Sequence, residues 1–185
     1  MLCCRSLRRI LQKDAFVCRN KGGWKMAAVE KTNVMRTLEQ KKIPYTPHYY
    51  PHEEGIAVDG ATVAALLGQD PACVFKTLVA VGASKRNYVF VVPVLQELDR
   101  KKAAKAVGEK SVELIPLKEL LPLTGYIRGG CSPVGMKKAF PTVFDTSAQD
   151  KAAICVSAGK IGAQIECSPA ALAALVRGKF APITE

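Results

Sequence analysis

Apolar and polar positions alternate along this chain in short blocks, and the period of the alternation changes from block to block. From Thr32 the period is helical: Val34, Met35 and Leu38 share a face, and Thr32 stands at the cap position. "IPYTPHYY" reads as extended chain, because Pro44 and Pro47 oppose a helix. Asp59 opens a short helix, "DGATVAALLG", that Gly68 closes. "CVFKTLVAVG" and "YVFVVPV" are dense in β-branched and apolar residues and flank the turn "GASKRN", which predicts an antiparallel pair.

Further on, Asp99 caps a basic helix, "DRKKAAKAVG", and "KELLPLTG" is a second short helical piece. "YIRGGCSPVGMKK" is glycine-rich and irregular. "TVFD", "AAICVSAG" and "AQIEC" predict three more strands. Ser168 caps a last helix with Pro169 in its first turn. These elements define a mixed α/β fold of the α+β kind. A compact mixed or barrel-like sheet with short helices around it is expected, not a doubly wound one.

The pattern divides the chain at about residue 30. Residues 1–30 hold Arg5, Arg8, Arg9, Lys13, Arg19, Lys21 and Lys25 against Asp14 and Glu30, and lack the apolar centre of a secretory signal. Three readings apply to this basic extension: a targeting segment, a disordered tail, or a misread start with Met26 as the true first residue. The third is favoured, because patterned sequence begins just after Met26. Residues 31–185 form one domain, long enough to bury a core without staples.

The formal net charge of +11 suits an anionic partner. The basic helix (Arg100, Lys101, Lys102, Lys105) and Lys137–Lys138 are candidate phosphate contacts, although solvated faces give the same pattern. The seven cysteines, Cys3, Cys4, Cys18, Cys73, Cys131, Cys155 and Cys167, form no CxxC pair, and there are two histidines. No metal and no cofactor is expected from this spacing, and thiols in a reducing cytoplasm are. No apolar run approaches the ~20 residues that span a bilayer.

Lys76 is the residue most at odds with its surroundings. Strand alternation places it with Val74 and Leu78, and sets Phe75, Thr77 and Val79 on the other face. An ammonium there is partly desolvated and needs an anionic group to meet it; an edge lysine that reaches solvent is the plainer alternative. In "GYIRGGCSPVG", Gly129 and Gly130 permit close approach of backbone and expose N–H donors, Ser132 adds a hydroxyl and Pro133 stiffens the exit. "PHYYPH" sets Tyr50 and His52 where rings can stack on a base. Cys131 lies in the glycine loop with no acid or base at a recognisable spacing, so a catalytic thiol is not expected.

Together, "VFKTLV", "TGYIRGGCSPVGMKK" and "VSAGKIG" occur in the order and spacing of the YbaK/EbsC proteins, relatives of the editing domain of bacterial prolyl-tRNA synthetases. The chain resembles that family from about Lys31 to its C-terminus. The resemblance implies a trans-editing deacylase that removes cysteine from mischarged Cys-tRNA(Pro) by attack of the substrate thiolate on its own ester. It also implies the acceptor end of mischarged tRNA as partner, and prolyl-tRNA synthetase beside it. By the same resemblance Lys76, Gly129 and Gly130 are the catalytic residues, and Tyr50, His52, Thr77, Ser132 and Pro133 contact substrate. Gln164 stands where the enterobacterial form has an aspartate. A deacylase for Ala or Ser, and a non-catalytic aminoacyl-tRNA-binding module, are the alternatives.

Overall fold

The computed structural model describes residues 15–20, 23–28, 31–53 and 55–185. Residues 1–14 of the basic extension, with the readings made for them, lie outside the described residues. Within the rest of the extension, Ala15–Asn20 (β1) and Gly23–Ala28 (β2) pair antiparallel. β1 then pairs in parallel with His52–Glu53 (β4).

The helices begin and end where the capping residues stand. Helix α1, Asn33–Gln40, starts at Thr32, whose side chain accepts the Met35 N–H, and it buries Val34, Met35 and Leu38. Helix α2, Gly60–Leu67, is capped by Asp59 and stopped by Gly68 in the left-handed region. Helix α3, Arg100–Val107, repeats the device with Asp99 and Gly108. Helix α4 is Leu117–Thr124. Helix α5, Pro169–Val176, starts at Ser168 and stops at Arg177, a non-glycine residue with φ of 53°.

Phe75–Gly82 (β5) and Asn87–Pro93 (β6) form the antiparallel pair expected of them, with Lys76 opposite Val92. They are the centre of a five-stranded mixed sheet. On one side Val112–Leu114 (β7) pairs with β5. On the other, Thr142–Asp145 (β8) and Lys179–Ala181 (β11) follow in parallel. A second sheet is antiparallel, in the order Thr46–Tyr49 (β3), Ala163–Cys167 (β10), Ile154–Ser157 (β9). A bridge from Val74 to Cys155 joins the two sheets at the start of β5.

The main sheet buries both faces. Phe75, Val79, Val89 and Val91 pack toward Ile154, Val156 and Ile165 of the second sheet and toward α1 and α5. Ala80, Tyr88, Phe90 and Val92 pack under Ala103 and Ala104 of α3. Each fully buried valine or leucine stabilises the fold by ~1.5–3 kcal/mol. The two sheets therefore hold each other's position, and what lies between their ends is set by rigid strands.

Candidate functional site

A cavity of about 1140 Å³ opens where β5, the start of α2, the glycine loop and the second sheet meet. β7 pairs with β5 only at Ala80, Val81 and Gly82. The edge of β5 from Phe75 to Leu78 is thus left beside the cavity, and all four residues line it.

Lys76 projects from that edge with its side chain 26% exposed, and its Nζ donates to Glu97 Oε1 at 2.7 Å. Here is the anionic group that a half-buried ammonium requires. Glu97 comes from the connection between β6 and α3, 21 residues further on. Its backbone is fastened to the C-terminus: its carbonyl accepts the Glu185 N–H, and its neighbour Leu98 bridges Thr184. Its side chain is 75% exposed. Glu97 also lines a shallow groove beside the cavity, together with Arg100 and Lys101.

The other wall is polar. Gln164 of β10 is 6% exposed, lines the cavity, and its Oε1 is buried with no hydrogen-bond partner. The Thr77 hydroxyl is also buried and unpartnered, and Thr77 lines the same space. Such oxygens cost free energy unless a ligand satisfies them. Tyr50 is 2% exposed and lines the cavity. Burial pushes its phenol above the usual range, partly offset by a hydrogen bond with the Gly162 backbone.

The glycine loop folds for a reason visible in its dihedrals. Gly129 has φ of 80°, and the Gly130 N–H donates to Ile127 O at 3.0 Å, which makes Ile127–Gly130 a turn of type II. A Cβ on Gly129 would stand 2.8 Å from Ala57 Cβ, so only glycine fits. Tyr126 fastens the loop further on by donating from its hydroxyl to Val134 O at 2.7 Å.

The structure thus brings Lys76, Thr77, Gly129 and Tyr50 to one cavity. Gly130, His52, Ser132 and Pro133 do not line it. The Gly130 amide is engaged by Ile127, so it is not the free donor expected from the sequence. Ser132 is fully buried and its hydroxyl accepts the Val134 N–H at 3.3 Å, which braces the loop. His52 is buried behind Tyr50, its Nδ1 3.4 Å from Tyr50 O and its ring packed on Gly162. Cys131 lines the cavity, but burial pushes its thiol up to about 12, so it stays protonated at neutral pH. Sequence reasoning missed Glu97, since nothing local marks a loop carboxylate as a counter-ion.

Comparison with known proteins gives the class. Residues 57–175 match the family model of the aminoacyl-tRNA editing domain. The chain belongs to this family, and its activity class is that of an aminoacyl-tRNA deacylase. More particularly, it is 51% identical over 155 residues to EbsC of Enterococcus faecalis (strain ATCC 700802 / V583), whose name proposes a Cys-tRNA(Pro)/Cys-tRNA(Cys) deacylase. That alignment covers 84% of this chain and 94% of EbsC. Among solved structures, one proposed as a trans-editing enzyme for prolyl-tRNA synthetase superposes with a TM-score of 0.70 at 25% identity, covering 82% of this chain and 94% of that one. The hypothetical protein APE2540 superposes with a TM-score of 0.74 at 24% identity, covering 84% and 100%, and supports the fold alone. Among the described residues no helix is long and apolar enough to cross a membrane.

Proposed function

We propose that this protein is a trans-editing deacylase that clears cysteine from mischarged Cys-tRNA(Pro) in the cytoplasm, working beside prolyl-tRNA synthetase. The observation that carries the reading is the half-buried ammonium of Lys76 in the same cavity as the unpartnered Gln164 and Thr77 oxygens. About 1140 Å³ exceeds the ~300–1,000 Å³ that suffices for a drug-sized ligand, so a terminal aminoacyl-nucleotide fits. A second sieve is useful here, because apolar pockets separate small side chains by only ~1–3 kcal/mol.

In the proposed reaction the cysteinyl thiolate attacks its own ester carbonyl. A C–S bond forms, the C–O bond to the ribose breaks, and the ribose oxygen leaves with a proton from solvent. The product is a cyclic thioester, which water opens to cysteine. Lys76 favours the negative charge that develops on the carbonyl oxygen, and the Gly129 backbone, which lines the same cavity, offers its amide to it. Gly130 contributes through the turn. Gln164 Oε1 and the Thr77 hydroxyl accept from the substrate's ammonium group. Glu97 occupies Lys76 until substrate displaces it, and the cations of the neighbouring groove, Arg100 and Lys101, receive the carboxylate as it swings out.

The test is single-turnover deacylation of Cys-tRNA(Pro), Ala-tRNA(Pro) and Ser-tRNA(Pro), with and without prolyl-tRNA synthetase. Wild type should act on the cysteinyl ester far faster than on the seryl one, whose hydroxyl is a poor nucleophile. Lys76→Ala should lose the activity while keeping its circular dichroism and melting temperature. A folded Lys76→Ala protein with wild-type rates would refute the role. Equal rates on Cys and Ser esters would refute the substrate-assisted route.

A further inference from the structure

We propose that His48, Cys155 and Glu166 form a binding site for a thiophilic divalent cation, zinc by its chemistry, on the second sheet beside the cavity. Their spacing in sequence resembles no metal motif, but the strand order β3, β10, β9 sets their three strands side by side. Glu166 pairs across β10–β9 with Cys155, and His48 sits two positions along, opposite Gln164. Strand alternation puts all three on one face. The His48 nitrogen, the Cys155 sulfur and a Glu166 oxygen lie within 4.8 Å of one another.

That spacing is close to what a tetrahedral ion needs. Zinc binds imidazole, thiolate and carboxylate at ~2.0–2.3 Å, which places the donors of a tetrahedron about 3.3–3.8 Å apart. His48 Nε2 and Glu166 Oε2 are now 2.8 Å apart in a hydrogen bond, so they open by about half an ångström to admit the metal. The thiol forms the floor, with Cys155 3% exposed. The rim is accessible, with the His48 and Glu166 side chains 26% and 41% exposed, which provides an entry path. On binding, Cys155 releases its proton to solvent. One thiolate and one carboxylate then balance the two positive charges, and imidazole is neutral. Hard cations such as magnesium or calcium are disfavoured by sulfur and nitrogen donors.

Such an ion would tie together the three strands of the sheet that carries one wall of the cavity. Ser157 and Gln164, two residues along β9 and β10 from Cys155 and Glu166, are part of that wall. The site stands independently of which aminoacyl ester the protein cleaves.

The experiment uses the full chain, stripped with chelator and titrated with zinc in equilibrium dialysis, and in parallel with cobalt followed by absorption. A thiolate-to-cobalt charge-transfer band should appear, and zinc should raise the melting temperature. His48→Ala and Glu166→Gln should weaken binding at least tenfold, the scale of losing one ligand, and abolish the thermal shift. Cys155→Ser should remove the charge-transfer band. Should Cys155→Ser fail to fold, the half-exposed His48→Ala and Glu166→Gln variants still decide the matter. Equal zinc affinity in wild type and both rim variants, or cobalt binding without the band, overturns the proposal.

Discussion

Replacing Glu97 by Gln removes the negative charge that sits on Lys76 and keeps the shape of the side chain. The structure sets the size of the effect. Two unit charges at 2.7 Å attract by about 1.5 kcal/mol in bulk water, and more where water is excluded. The Glu97 side chain is 75% exposed, however, so the pair belongs with exposed ion pairs, worth ~0.2–1 kcal/mol net. Any substrate oxygen that takes Lys76 must first release that interaction. Its removal should therefore tighten binding about 1.4- to 5-fold. The expected result for Glu97→Gln is a KM lowered within that range, kcat within about twofold of wild type, and a KM difference that shrinks as salt is raised. Glu97→Asp, with the charge drawn back by one methylene, should fall between. The assay is multiple-turnover deacylation of Cys-tRNA(Pro) at low and high ionic strength. A raised KM, or a kcat reduced tenfold, would show that Glu97 holds Lys76 in its working position, and the displacement argument would fail.

Gly129→Ala should lower the melting temperature and the activity together, because an alanine at φ of 80° costs about 1–2 kcal/mol in backbone strain and its Cβ meets Ala57 at 2.8 Å; thermal melts and the deacylation rate check it. Cys131→Ala should keep most of the activity, and the wild-type rate should show no limb from this thiol at about pH 7–9, since burial pushes it up to about 12. Asp145 accepts from Ser147 N, Ile183 N and Thr184 Oγ1, and these bonds outweigh the burial that opposes its charge, so its carboxyl titrates below 3.8. Its contribution to stability is therefore full above 3.8 and is lost as pH falls through the lowered folded value. Asp145→Ala should cost about 1–3 kcal/mol in denaturant melts at pH 7, and less as acid already protonates the wild type.

The legible part of the sequence was the part with local causes. Thr32, Asp59, Asp99 and Ser168 each cap the helix they were expected to cap, because a side chain three residues from an orphan N–H acts whatever the rest of the chain does. The β5–β6 pair followed from one short turn. Lys76 was conspicuous because an ammonium in an apolar strand breaks the pattern around it. Long-range pairing left no such trace. β3 meets β10 more than a hundred residues away, as the His48–Glu166 contact records. Glu97 meets Lys76 from a loop that is fastened to the distant C-terminus. The fate of the Gly130 amide depended on the turn type, which Gly-Gly alone permits but does not select.

The resulting site divides its labour by rigidity. What must not move comes from strands: Lys76 and Thr77 from β5, Gln164 from β10. What must approach closely comes from a turn that Ala57 leaves open only to glycine. What must give way comes from an exposed loop carboxylate. A protein thiol nucleophile would need a base beside it, and Cys131, the thiol in the wall among the described residues, is held protonated by its own burial. On the proposed reaction, such a cavity would select its substrate by what the substrate brings. An ester that carries its own thiol supplies the missing nucleophile, whereas an ester with a methyl or hydroxyl side chain finds the same walls and no attacking group. On the proposed reaction the chemistry itself would provide discrimination that an apolar pocket could not, and Lys76 would need only to hold the ester where the substrate's own side chain can reach it.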